Sequence, residues 1–192
     1  MKIAALTCSN GLGHSRRIIA ISSFMYKYGF NGDLTVYMPL SYVHYMKEWP
    51  ECKYFLNHPK IKLIDFIYPS LGQKKTNNLV DKNWSSIHLP NLDDYDVVWS
   101  DNITQLLTFR PDSIITGSFL WYDVLKQYDS SNEIKDFIAS QEDLFRSIKP
   151  KMIGNEYFAM PEVKNHSNFI PVGLYRFNTS LSKKSKKDIL LS

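Results

Sequence analysis

The residues best suited to chemistry sit in one short stretch near the N-terminus, Asn10-Gly11-Leu12-Gly13-His14-Ser15-Arg16-Arg17. Gly11 and Gly13 let the backbone approach a ligand closely, and the N-terminus of a following helix favours an anion such as a phosphate. His14 brings an imidazole that titrates close to neutral pH, suited to general-base work or to a hydrogen bond with a phosphate. Arg17 offers a cation for a phosphate or carboxylate, although it is also one of two adjacent arginines of the kind that simply meet solvent. Several familiar sites are excluded. The third glycine of a dinucleotide fingerprint falls at Arg16, and the second strand ends in Met38-Pro39 rather than in an acid. The chain has no Gly-x-x-x-x-Gly-Lys-Ser/Thr phosphate loop and no Gly-x-Ser-x-Gly nucleophile elbow.

Three further residues belong with this group if the chain folds as a parallel sheet. Asp101 follows the fourth strand, at the edge that carries His14. It is placed to orient the imidazole, to hold a hydroxyl group, or to act as a helix N-terminal charge for the segment from Asn102. Ser118 and Trp121 follow the fifth strand at that same edge. Ser118 is a candidate helix cap, and Trp121 suits either stacking on a ligand or packing in the core. His44, His58, His88 and His166 show no ligand spacing with Cys52 or with one another, so no metal site is expected. Tyr54, Phe55, Tyr68 and Trp84 lie near the loops, available to a ligand or lipid surface or to ordinary packing.

The elements that must position these groups alternate between two periods. Met1 to Thr7 reads as a buried strand, His14 to Tyr28 as a helix with Ile18, Ile19, Ile21 and Met25 on one side, and Gly29 as its stop. Strands follow at Leu34–Met38, Ile61–Ile67, Tyr95–Ser100 and Ser113–Thr116, with weaker ones at Lys151–Ile153 and Phe169–Val172. Short helices are expected over Ser41–Lys47, over Asn102–Phe109 and after Ser118. Glu133–Ile148 is an amphipathic helix whose apolar set is Ile134, Phe137, Ile138, Leu144, Phe145 and Ile148. Tyr68–Pro90 has no period and reads as a long loop or small insertion. Strands alternating with helices predict an α/β fold, a doubly wound and mostly parallel Rossmann-like sheet.

Composition narrows the class. The 192 residues are 44% hydrophobic and 22% charged, within the range of an ordinary globular domain. No apolar run is long enough to span a membrane, no signal peptide is legible, and Cys8 and Cys52 make neither a disulfide scaffold nor a metal cluster. A reduced, cytoplasmic protein is expected. The net charge is +4, and Lys183-Lys184-Ser185-Lys186-Lys187 alone carries four positive charges, so the remainder is neutral. A neutral body does not suit nucleic-acid binding, which needs basic residues along one face. The basic run is expected to be a solvated linker, with anionic lipid at the inner face of a membrane, or another protein, as its alternative contacts. Asp188-Ile189-Leu190-Leu191-Ser192 then reads as a new strand. The division expected is therefore one domain over residues 1–178, with 179–192 as a basic linker and the start of a missing C-terminal domain.

Gly11-x-Gly13-His14-x-x-Arg17 directly after the first strand resembles the N-terminal domain of GT-B glycosyltransferases and of related UDP-sugar hydrolases of nonulosonic acid synthesis. Trp99-Ser100-Asp101-Asn102, Arg110-Pro111-Asp112-Ser113-Ile114-Ile115 and Gly117-Ser118-Phe119-Leu120-Trp121 look like the fourth and fifth strands of such domains. Lys187-Asp188-Ile189-Leu190-Leu191-Ser192 looks like the entry strand of their nucleotide-binding half. The likeness covers nearly the whole chain as architecture, while Gly-x-Gly-His is its residue-specific part.

The resemblance implies an acceptor-binding half that works across a cleft from a half holding the nucleotide sugar. It makes His14 and Asp101 the catalytic candidates and Gly11, Gly13, Arg17, Ser118 and Trp121 the substrate-binding ones. It also implies sugar transfer to a hydroxyl of a carbohydrate or lipid-linked acceptor, in bacterial surface carbohydrate assembly. No cofactor is implied beyond the nucleotide sugar as substrate. The alternatives are a nucleotide-sugar hydrolase, in which His14 activates water, and a non-catalytic acceptor-binding subunit that recruits its partner. Without the donor half, a chain of this kind is expected to be inactive.

Overall fold

A computed structural model describes residues 1–9, 11–67, 89–127 and 132–173. The turn residue Asn10, most of the long loop with Tyr68, Trp84 and His88, the basic run, the final strand and the 178/179 boundary lie outside the described residues.

Seven strands form one parallel sheet: β1 (Lys2–Thr7), β2 (Asp33–Met38), β3 (Ile61–Asp65), β4 (Val97–Asp101), β5 (Ile114–Thr116), β6 (Lys151–Asn155) and β7 (Asn168–Val172). Their order is β3-β2-β1-β4-β5-β6-β7, so the direction of winding reverses between β1 and β4. Among the described residues the helices are α1 (Leu12–Lys27), α2 (Leu40–Met46), α3 (Pro50–Leu56), α4 (Trp121–Leu125), α5 (Asn132–Ile148) and α6 (Pro161–His166), with a 3-10 turn at Thr104–Thr108. This is the expected α/β, doubly wound, Rossmann-like fold.

The period of two in the strands builds two cores. Ile3 and Ala5 of β1, Leu34, Val36 and Met38 of β2 and Trp99 of β4 face α1 and α3, where Ile18, Ile19, Cys52 and Phe55 meet them. Ala4, Leu6 and Val98 point the other way, towards Ile103 and Leu106 of the 3-10 region. Ile115 and Met152 pack against Tyr122, Phe137 and Phe145 of α4 and α5. Each fully buried aliphatic or aromatic side chain contributes about 1.5–3 kcal/mol of transfer free energy, which is what holds helices to both faces.

Several local expectations change. The stripe of α1 that faces the sheet is Ser15, Ile18, Ile19, Ser22, Ser23 and Tyr26, whereas Ile21 and Met25 are only partly buried. Small serines let the helix lie close to the sheet, and two of them bond locally: Ser15 Oγ is 3.2 Å from Thr7 Oγ1, and Ser23 Oγ donates to the Glu51 carbonyl at 3.0 Å. α1 opens at Leu12, so His14 is the third helical residue and not the first. β4 extends through Asp101, and the helix expected from Asn102 is the 3-10 turn. Ser118 caps nothing. Leu120 occupies the cap position of α4, and no side chain bonds there. Helices α3 and α6 had no counterpart in the sequence reading, although Pro50 and Pro161 each sit at a helix start where proline is favoured.

Neither cysteine forms a disulfide. Cys8 is 1% and Cys52 0% exposed, and burial, with the Glu51 charge beside it, pushes the Cys52 thiol up to about 11. Ellman's reagent at pH 8 should therefore leave both thiols unmodified in the native chain and titrate two per chain in denaturant. Rapid reaction of one native thiol would show that this core opens.

Candidate active site at the carboxyl edge of the sheet

Asp101 ends β4 at the point where the strand order reverses, the place where parallel α/β sheets take ligands. It is flanked in register by Thr7 on β1 and Thr116 on β5. Its side chain is 0% exposed, and an ionised carboxylate there requires partners on all its lone pairs. Three side chains supply them. His14 Nδ1 lies 2.6 Å from Oδ1, Arg17 Nη1 donates to both oxygens at 3.1 Å, and Thr116 Oγ1 donates to Oδ2 at 2.9 Å.

Sequence spacing explains how α1 reaches this carboxylate twice. His14 and Arg17 are three residues apart, hence neighbours on one helix face. The helix starts immediately after β1, and β1 pairs with β4, so its first turn lies beside the end of β4. The Arg17 guanidinium balances the buried negative charge, leaving the trio neutral while His14 is neutral. A carboxylate accepts and does not donate, so the Nδ1 facing it carries the hydrogen and Nε2 keeps its lone pair. His14 retains 12% and Arg17 26% side-chain exposure. The arrangement can therefore take a proton at Nε2 and stabilise the resulting imidazolium through Asp101, the division of labour of a His–Asp pair in hydrolytic triads.

The two glycines differ. Gly11 sits at the cap of α1 with φ 145° and ψ 162°, a region that only glycine enters without strain. Gly13 is helical, and a Cβ built on it meets no atom within 4 Å. No side chain caps α1, and its first turn contains no acid. Gly11→Ala should cost about 1–3 kcal/mol through backbone strain, read as a lower urea midpoint. Gly13→Ala should stabilise the chain by about 0.5–1 kcal/mol. If the open space before Gly13 is where substrate lies, the same alanine lowers substrate affinity. A more stable variant with unaltered affinity would make Gly13 a plain helix residue.

The structure brings His14, Arg17 and Asp101 together, with Gly11 shaping the turn beside them and Gly13 in the first turn of the helix. Ser118 and Trp121 lie elsewhere along the edge. The Ser118 carbonyl accepts from the Met160 N–H at 2.8 Å. Trp121 is half-buried against the Leu6–Leu106 core and stands edge-on to Phe119 at 5.0 Å, with its indole Nε1 buried and unbonded among the described residues. Of the other histidines, His58 packs on the Tyr26 ring, and His166 Nδ1 lies 2.7 Å from the Tyr122 hydroxyl. Among the described residues no group of three or more His, Cys, Asp or Glu side chains is arranged to hold a metal ion. Thr116 is the site residue that sequence reasoning missed. Its only signal was its place at the end of a strand, and nothing in the sequence gives the register that sets it beside Asp101.

Solved structures supply the frame for this edge. Phytolacca americana UGT2, complexed with UDP-2fluoro-glucose and pterostilbene, matches with a TM-score of 0.53 at 11% identity, over 93% of this chain and 55% of its own. LpCGTa in complex with UDP matches with a TM-score of 0.52 at 12% identity, also over 93% of this chain and 55% of its own. The fold is that of one half of a GT-B structure. This chain thus spans about half the length of the GT-B structures it matches. At these identities the likeness is one of fold. No protein-family profile matches the chain, and no curated protein does. Among its described residues no helix is long and apolar enough to cross a membrane.

Proposed function

We propose that this chain is the acceptor-side half of a glycosyltransferase, moving a sugar from a nucleotide-sugar donor to a hydroxyl of a carbohydrate or lipid-linked acceptor in surface carbohydrate synthesis. The observation that carries the reading is the 2.6 Å contact between His14 and the buried Asp101 at the strand-order reversal of a GT-B half. His14 Nε2 takes the acceptor hydroxyl proton as its oxygen attacks the anomeric carbon. The bond from that carbon to the diphosphate breaks, and the leaving nucleoside diphosphate keeps the electron pair. Asp101 holds the imidazole and balances its developing charge.

The donor half comes from a further domain or a partner subunit. Supporting this, Leu12, Leu40, Ile67, Tyr157 and Phe158 are exposed and all follow strands at the carboxyl edge. Apolar side chains gathered at one edge suit a covering partner.

The test is to assemble the chain with its donor-binding half, supply nucleotide sugars with hydroxyl acceptors, and follow nucleoside diphosphate release. Acceptor-dependent release supports transfer. Release with free sugar and no acceptor requirement would make the protein a nucleotide-sugar hydrolase. Full turnover by an assembly carrying His14→Ala would make this half a non-catalytic acceptor subunit.

A further inference from the structure

We infer that Thr116, itself held by Trp99, is a positioning residue that fixes the Asp101 carboxylate and through it the tautomer of His14. The inference rests on the reading of His14 as the base. Trp99 and Asp101 are two apart on β4, so their side chains share the sheet face that packs against α1. Asp101 pairs in register with Thr116 on β5, which brings the Thr116 hydroxyl to that face as well. Trp99 is 5% and Thr116 2% exposed, so water does not compete for these groups.

The hydrogen count at Thr116 leaves little choice. An indole N–H only donates, so the 3.0 Å contact from Trp99 Nε1 makes Thr116 Oγ1 the acceptor. The hydroxyl then has one proton to place, with Asp101 Oδ2 at 2.9 Å and the Ser100 carbonyl at 3.4 Å. The shorter bond is also the charge-assisted one and takes the proton. Trp99 thus turns the threonine from a free rotor into a donor aimed at one carboxylate oxygen. With Oδ2 held from β5, Oδ1 is presented to His14 Nδ1 from α1. The carboxylate is thus fixed from two elements, α1 and β5.

The test uses the chain labelled with ¹⁵N-histidine, in which the His14 signals among five histidines are assigned by their loss in His14→Gln. Wild type should show Nδ1–H as the dominant neutral tautomer. Thr116→Val keeps the shape but removes the hydroxyl, and should shift population towards Nε2–H. In the active assembly it should lower kcat between about 10-fold and 10²-fold with the acceptor KM unchanged. Thr116→Ser restores the hydroxyl and should recover both readouts, and Trp99→Phe should fall between. A folded Thr116→Val with the wild-type tautomer and kcat overturns the inference. If the valine variant does not fold, a wild-type tautomer in Trp99→Phe together with an altered one in Thr116→Ser overturns it equally. A tautomer shift in a protein whose wild type transfers no sugar would leave the positioning intact and remove the proposed function. Wild-type transfer with no tautomer shift would do the reverse.

Discussion

On the reading of His14 as the base of a sugar transfer, His14→Ala should lower kcat of the assembly by about 10²–10⁴-fold, the range removed with a general base. Acceptor affinity should stay within a few-fold, because the imidazole acts on the proton in flight and contributes little to ground-state binding. Stability should change little, since the ring keeps some exposure and its polar partner among the described residues, Asp101, retains Arg17 and Thr116. Initial rates, with acceptor binding measured separately by calorimetry, make the comparison. A variant that loses acceptor binding in proportion to kcat would place His14 in substrate recognition instead.

Asp101→Asn should be more damaging than its shape suggests. Among the described residues, the side chains bonded to the carboxylate all donate to it: His14, Arg17 and Thr116. An amide offers one oxygen and one N–H₂ in place of two acceptors, so at least one donor meets a donor. The imidazole can then satisfy the amide by turning Nδ1 into an acceptor, which puts its hydrogen on Nε2 and removes the base. The expected loss in kcat is about 10⁴-fold, as for the equivalent change in a Ser–His–Asp triad. Stability should fall by about 1–3 kcal/mol, because Arg17 loses its counter-charge. Arg17 is 26% exposed and partly hydrated, which keeps this below the loss for a fully buried pair. The double variant Arg17→Gln, Asp101→Asn separates the two effects. Removing both charges should recover most of the stability and none of the activity. Urea midpoints and single-turnover rates on the four proteins of the cycle would show it. Equal recovery of both would mean that Asp101 serves only to pair Arg17.

Much of the architecture was legible because it rests on local patterns. The apolar run ending at Thr7, the punctuation at Gly11 and Gly13 and the alternation beyond it place His14 at the carboxyl edge of a parallel sheet. Phe137 and Phe145 of α5 are buried as the period of that helix requires. The departures have physical causes. α3 and α6 are seven and six residues long, too short to display a period, and are held by few buried side chains, Cys52 and Phe55 in α3 and Val163 in α6. The inward serines of α1 defeat a reading based on apolar residues, because close approach to a sheet selects small side chains over greasy ones. Ser118 has a capping residue's chemistry without a helix starting where it would cap.

By itself the sequence determined the doubly wound fold, the turn that carries His14 and the common edge of His14 and Asp101, since each follows from periodicity and the direction of parallel strands. Tertiary structure alone decided which atoms meet. The sheet register sets Thr7, Asp101 and Thr116 side by side from strands far apart in the chain. Register is a property of long-range backbone hydrogen bonds and packed faces, and one residue of slip would turn Asp101 to the opposite face and leave His14, Arg17 and Thr116 with nothing to bind.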